Sequence, residues 1–380
     1  MRKLRVLTVF GTRPEAIKMA PLVLELRARP EVDCQVCITA QHREMLDSVM
    51  DCFGLEADYD LDIMEPRQTL QTVTTKVLNA MTAVLETAQP DLVLVHGDTT
   101  TTFAGALAAF YAKIPVGHVE AGLRTFDPYS PFPEEMNRRL VGQLSSYHFA
   151  PTTANRLNLA REGIDRGVFV TGNTVIDAMR HTIGDGQFCD PLLQSLNFET
   201  RRVIVMTCHR RENYGQPMEQ IFTAVRRLAR DFPDTDIVYP VHPSPVVREC
   251  ANRFLGEAPN IYLIEPLDAI EMHRLLHACY MVMTDSGGLQ EEAPALGKPV
   301  LVLRRETERP EAIHAGTVRL AGVETETIYQ MATQLLTDPA AYDTMAKAVN
   351  PYGDGRACTR IADAILFSFG YDTPAPEEFA

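Results

Sequence analysis

The sequence predicts an α/β protein made of two doubly wound units, each a parallel sheet covered by helices on both faces. Three observations carry that expectation. Short runs that are apolar on both faces recur along the chain, segments of helical periodicity separate most of them, and the series breaks once and begins again. A length of 380 residues also exceeds what one ordinary core accommodates and suits two.

The first series of candidate strands is Leu4–Phe10, Cys34–Ala40, Asp91–His96, Val116–Glu120, Tyr147–Ala150 and Val168–Thr171. The second is Val203–Cys208, Asp236–Val241, Ile261–Ile264, Tyr280–Thr284, Val300–Leu303 and Thr317–Leu320. Leu70–Leu85, Met218–Phe232 and Ile328–Leu336 read as helices between them. The seam falls near 170–202, where Thr182–Gln187, Asp190-Pro191 and Asn197–Arg202 interrupt the pattern. Expected domains are therefore 1–170 and 171–355, with a last helix at Arg356–Phe369 able to pack back on the first, and a Pro- and Glu-rich tail, 370–380, expected to fray.

Hydrophobic residues make up 46% and charged residues 23%, a globular balance. With 36 basic against 50 acidic residues the formal charge is −14, which argues against nucleic acid or an anionic membrane surface as partner. The basic start Met1–Arg5 precedes an apolar run too short for a signal peptide, and no stretch is long enough to span a bilayer, so a cytoplasmic protein is expected. The eight cysteines are scattered. Cys34 and Cys37 form a CxxC inside a strand, where that spacing sends the two thiols to opposite faces, so buried reduced thiols are expected rather than a redox or metal pair.

In open α/β sheets ligands bind beyond the carboxyl ends of the strands, and the chain's reactive residues cluster there. The first strand ends in Gly11-Thr12-Arg13-Pro14-Glu15, with Lys18 one turn on. Arg13 and Lys18 then stand near the positive end of a helix, suited to an anion. A single glycine is no dinucleotide fingerprint, which disfavours a nicotinamide cofactor. His96-Gly97-Asp98-Thr99 puts Asp98 at a strand end, where its bland role would be a helix cap. His118-Val119-Glu120-Ala121-Gly122 does the same for Glu120, and Pro133-Glu134-Glu135 opens a helix. Three carboxylates from neighbouring loops suit proton transfer. In the second series, His209-Arg210-Arg211 and His242 follow strands. Thr284-Asp285-Ser286-Gly287-Gly288 leads into a helix start able to hold phosphate oxygens, with Glu292 one turn in and Arg309 downstream. No carboxylate comes with histidine at ligand spacing, so no metal and no cofactor are expected.

Together these motifs resemble the non-hydrolysing UDP-N-acetylglucosamine 2-epimerase family: FGTRPEAIKMAP, AQHREML, HGDTTTT, GHVEAGLRT, PFPEEMNRR, TGNTVIDA, HRREN, YPVHP, TDSGGLQEEAPALGKPVLVLR, TERPEA and NPYGDG, in order from Phe10 to about Arg360. The resemblance implies two Rossmann-like domains facing a cleft, as in glycosyltransferase-B and phosphorylase folds. It implies that Arg13, Lys18, His209, Ser286, Gly287, Gly288, Glu292 and Arg309 hold UDP, with Leu267–Met272 facing the uracil. Met272 stands where other members often have phenylalanine, which should weaken stacking. Asp98, Glu120 and Glu134 would surround the sugar and, with His209, carry the catalysis. A second UDP-N-acetylglucosamine would act as an allosteric activator at Gln41, Glu44, Arg67, Glu134, Arg210 and His242, with Glu44 in place of glutamine. A homodimer making a precursor of cell-envelope polysaccharide is also implied. The rival readings are a two-Rossmann glycosyltransferase, a hydrolysing epimerase and a non-catalytic nucleotide-sugar sensor.

Overall fold

The computed structural model describes residues 2–40, 43–63, 65, 68–184, 187–307 and 309–379, the side chains of 43–45 excepted. It contains two parallel sheets. The first comprises β1 (Leu4–Phe10), β2 (Val32–Ile38), β3 (Tyr59–Asp60), β4 (Leu92–His96), β5 (Val116–Val119), β6 (Tyr147–Ala150) and β7 (Val168–Val170), in spatial order β3-β2-β1-β4-β5-β6-β7. The second comprises β8 (Arg202–Thr207), β9 (Thr235–Pro240), β10 (Ile261–Ile264), β11 (Met281–Thr284), β12 (Val300–Val302) and β13 (Val318–Leu320), in order β10-β9-β8-β11-β12-β13. Both are doubly wound, with the order reversing between β1 and β4 and between β8 and β11. The sequence reading missed only β3, an edge pair of residues too short to show a period.

Burial explains why these runs become strands. Val93, Leu94 and Val95 of β4 and Val203 to Met206 of β8 are almost wholly inaccessible, because helices cover both sheet faces. The helix Gln216–Asp231 lays Met218, Ile221, Phe222, Val225 and Leu228 against β8 and β9, and Leu70–Ala88 presents Val73, Val77, Met81 and Val84 to the first sheet. Cys34 and Cys37 are both buried and their thiols are pushed up to about 12 by desolvation, so they stay protonated core residues. Cys52 and Cys189, by contrast, are exposed. No helix among the described residues is long and apolar enough to cross a membrane.

The chain divides into two compact units, Met1–His181 with Tyr352–Ala380, and Thr182–Pro351. The C-terminal helix Ala357–Ser368 belongs to the first and packs on the helix Arg13–Ala28, with Arg29 and Asp363 paired at 3.0 Å. The N-terminus of that last helix lacks a side-chain cap of its own. The buried carboxylate of Asp177 serves instead, accepting the N–H groups of Ala357 at 3.1 Å and Cys358 at 3.0 Å. The segment after it, read from composition as frayed, is tied to the same unit. The Phe379 N–H donates to Val170 O at 2.9 Å along the edge strand β7, and the Tyr371 hydroxyl donates to Arg2 O at 2.7 Å.

Asp177→Ala should remove the cap and cost about 1 to 2 kcal/mol. Urea unfolding gives the cost, and hydrogen exchange at the Ala357 and Cys358 amides should accelerate. An unchanged midpoint would show that the cap contributes nothing.

Candidate functional site

In the first unit the residues at issue gather at the carboxyl ends of β1, β4 and β5. Thr12 caps the helix Arg13–Ala28 and Glu15 completes a capping box, placing Arg13 at the first helical position and Lys18 one turn later. Glu15 does more than cap. Its buried carboxylate accepts the Gly11 N–H at 3.1 Å, the Thr12 N–H at 2.8 Å and the hydroxyls of Thr99 at 2.7 Å and Thr102 at 3.0 Å. It thereby ties the loop after β1 to the loop after β4. Burial pushes its pKa up, and these hydrogen bonds oppose the shift.

Glu120 follows β5 with φ at +62°, a left-handed conformation that a residue with a side chain rarely adopts. Its Oε2 faces the Lys18 ammonium, accepts a hydrogen bond from Asn173 Nδ2 at 3.1 Å and lies 3.7 Å from His96 Nε2. Burial alone would raise its pKa. Lys18, with His96 and Arg138, outweighs burial and holds the pKa at about 2, so the carboxylate is ionised. His96 is lowered to about 4 by its own burial and is neutral near pH 7. Asp98 pairs with Arg138 at 2.5 Å, and the Asn137 side chain donates to its carbonyl at 2.8 Å. Arg138 also reaches Glu135 at 3.5 Å, which is fully buried and accepts the N–H groups of Thr125 and Phe126. Arg138, paired with Asp98, is also among the charges that lower the Glu120 pKa, so one guanidinium acts on both carboxylates. Glu134 is the first residue of the helix Glu134–Leu144, half-buried, after cis peptides at Ser130-Pro131 and Phe132-Pro133.

In the second unit the corresponding positions follow β8 and β11. Asp285 is fully buried; its Oδ2 accepts the N–H groups of His209 and Arg210, each at 2.8 Å, and Asn213 Nδ2 at 3.0 Å. The His209 ring lies parallel to His242, centroids 5.3 Å apart and planes 7° apart. Burial lowers the His209 pKa; Asp285 opposes this, while His242 and Arg210 add to it. Beyond Ser286, the Arg309 guanidinium crosses directly over Gly287: a Cβ there would come within 2.5 Å of Arg309 Nη1. Buried Glu291 fixes that guanidinium through a 2.6 Å bond to Nε. Glu292 stands one turn in, 3.6 Å from His273 Nε2, whose Nδ1 is 2.7 Å from the Thr182 hydroxyl. Leu267 precedes Asp268, the cap of the helix Ala269–Ala278, which carries Met272.

The structure therefore brings Asp98 and Glu120 together in one unit, and His209, Ser286, Gly287, Glu292 and Arg309 onto the strand ends of the other. Lys18 is placed against Glu120. Of the residues assigned to an activator, Gln41, Arg67 and the Glu44 side chain lie outside the described residues. Arg210 and His242 sit beside His209, and Glu134 belongs to the first unit. Sequence reasoning passed over Glu15, Arg138, Asp285 and Glu291. Glu15 carried a local signal in the Thr12-to-Glu15 capping box and Asp285 one in its place at a strand end, whereas Arg138 and Glu291 carried none.

The model of a family described as UDP-N-acetylglucosamine 2-epimerase matches residues 24–366. The Bacillus subtilis UDP-N-acetylglucosamine 2-epimerase is 54% identical, over 100% of this chain and 99% of its own. A Neisseria meningitidis UDP-GlcNAc 2-epimerase solved with UDP-GlcNAc is 50% identical with a TM-score of 0.85, covering 96% of this chain and 100% of its own. A co-structure of S. aureus MnaA with UDP is 48% identical with a TM-score of 0.87, covering 99% of this chain and 100% of its own. Identity at this level along essentially the whole length, on the same doubly wound frame, settles the family: the chain belongs to the UDP-N-acetylglucosamine 2-epimerases.

Proposed function

We propose that this chain reversibly converts UDP-N-acetylglucosamine to UDP-N-acetylmannosamine without net hydrolysis, by eliminating UDP and adding it back. The observation that carries the reading is an ionised strand-end carboxylate, Glu120, set beside a second, Asp98, with a cation against each. The hydrogen at carbon 2 of the sugar is not acidified by any carbonyl, because carbon 1 is bonded to the ring oxygen and to phosphate. Direct deprotonation is therefore too slow. If the bond from carbon 1 to the phosphate oxygen breaks first, its electron pair leaves with UDP and positive charge develops on the ring. A carboxylate then takes the carbon 2 proton, leaving a 2-acetamidoglucal. Protonation of carbon 2 from the opposite face, with return of UDP to carbon 1, gives the epimer.

The residues suit these steps. Departing UDP gains negative charge, which Arg13, His209, Arg309 and the helix start at Ser286–Gly288 would stabilise. One such contact contributes on the order of 3 kcal/mol in a closed site. Lys18 has a double part. Against Glu120 it keeps that carboxylate ionised yet weakly basic. Drawn toward a diphosphate, it would leave Glu120 more basic when the sugar arrives. Glu292 is suited to the ribose diol. Glu134, Arg210 and His242, with Gln41, Glu44 and Arg67, remain the proposed activator residues, and the active form is proposed to be a homodimer in the cytoplasm.

Proton NMR of UDP-N-acetylglucosamine with the enzyme in heavy water tests the reading. Both epimers should appear with deuterium at carbon 2 and UDP attached. Inversion without exchange, or net release of free amino sugar, would overturn it. Asp98→Asn and Glu120→Gln should each bind UDP within a few-fold of the parent and lose about 10²-fold or more in kcat; retention of full turnover by both removes them from proton transfer. Gly287→Ala should displace the Arg309 guanidinium and weaken UDP binding about tenfold, the loss of one charge-assisted hydrogen bond. Calorimetry with UDP measures this, and unaltered affinity would free Arg309 from the phosphate role.

A further inference from the structure

Building on that reading, we propose that Asp285 is the positioning residue for His209, holding the imidazole with a proton on Nδ1 so that Nε2 is the atom turned to the departing diphosphate. The carboxylate shares its two oxygens unequally. Asp285 follows β11 and is fully buried, so each of its oxygens needs a donor. Oδ2 has three, the N–H groups of His209 and Arg210 at 2.8 Å and Asn213 Nδ2 at 3.0 Å. Oδ1 meets no hydrogen-bond donor at hydrogen-bonding geometry among the described residues and faces His209 Nδ1 at 3.3 Å. The Cys208 thiol beside the same carboxylate is pushed well above its ordinary range by burial and by Asp285, so it stays protonated and is a weak donor to Asp285, while an imidazole N–H is the stronger donor within reach of Oδ1.

A buried anionic oxygen facing a ring nitrogen requires a proton on that nitrogen. The His209 main chain is bonded to the same carboxylate, which leaves the ring little freedom. Its other face is covered by the parallel ring of His242, itself fixed by the Ser244 N–H donating to His242 Nδ1 at 3.1 Å. The charged and titratable groups facing His209 are thus Asp285, His242 and Arg210. Burial, the largest influence, holds the imidazole below its ordinary range; of the charged groups only Asp285 favours the imidazolium, the form that can donate from Nε2, and the negative charge of an arriving diphosphate would add to it. As the carbon 1 to oxygen bond breaks, its electron pair goes to the phosphate oxygen. Nε2–H donates a hydrogen bond to that oxygen, and no bond to nitrogen is broken.

Asp285→Asn separates this role from simple scaffolding. The asparagine oxygen can still accept the three N–H groups, while its NH2 now faces Nδ1 and forces that nitrogen to accept, which reverses the tautomer. The expected result is a fall in kcat of about 10²-fold or more, KM within a few-fold, and an alkaline limb of the kcat profile moved to lower pH. The sign follows from the removed charge: without Asp285 the imidazolium is less stable and is lost earlier as pH rises. A folded variant with unchanged kcat and unchanged limb overturns the proposal. Nitrogen-15 NMR of the unaltered protein decides independently of how the variant folds. Above its titration, His209, assigned by the signal lost in His209→Gln, should show the Nδ1–H tautomer, and an Nε2–H tautomer overturns the proposal. If the wild-type protein shows the Nδ1–H form but no epimerisation, the functional reading fails and the positioning by Asp285 stands.

Discussion

The ion pair between Lys18 and Glu120 is the interaction on which the first unit's arrangement turns. Lys18 comes from the helix after β1, His96 ends β4, Glu120 follows β5 and Asn173 lies just beyond β7. Groups at or beyond the ends of β1, β4 and β7 thus converge on the carboxylate that follows β5; parallel pairing puts these strand ends at one edge of the sheet, and the strand order makes β4 the neighbour of both β1 and β5. The left-handed backbone at Glu120 costs on the order of 1 to 3 kcal/mol, and such strain persists where the surroundings over-determine it. Here they do: a buried anion without Lys18 would be far more costly than the strained backbone that lets the two meet.

The second unit meets a different problem, which is to hold cations in place in a chain of formal charge −14. It does so by backing its cationic groups with carboxylates. Glu291 stands behind Arg309 and Glu212 behind Arg304, and Asp285 stands in the same way behind the imidazole of His209, whose pKa burial lowers. Paired in this way, an arginine loses little rotamer freedom on meeting a ligand, because its orientation is already fixed. The Gly287 backbone and the Arg309 guanidinium illustrate the outcome, since their approach leaves no room even for a methyl group.

Much of this was legible in the chain. Strands buried on both faces announce themselves as continuous apolar runs, and the residue at each strand end is then known to within one or two positions, which is why Asp98, Glu120, His209 and Ser286 could be named. What could not be read was pairing. Lys18 and Glu120 are 102 residues apart, and His209 and Asp285 are 76 apart. Nothing local in either sequence neighbourhood specifies the other; the order of strands does. Arg138 looked like one basic residue among several in a helix, and its contact with Asp98 depends on β4 and β5 being neighbours. The edge strand β3 and the C-terminal segment along β7 were obscure for a related reason, because contact with the rest of the sheet, rather than their own composition, gives them structure.

The two units share a strand order yet differ in electrostatic character, and the difference follows the chemistry proposed for them. Removing a proton from carbon calls for an anion whose charge can be masked until needed, which Lys18 against Glu120 supplies. Accepting a leaving diphosphate calls for donors whose direction is set beforehand, because reorienting dipoles during bond breaking would add to the barrier. Asp285 and Glu291 supply that by immobilising His209 and Arg309. A carboxylate restrained by a cation and cations restrained by carboxylates are the same device used with opposite sign. One doubly wound frame, built twice, thus carries an ionised carboxylate held by a cation in one unit and donors held by carboxylates in the other.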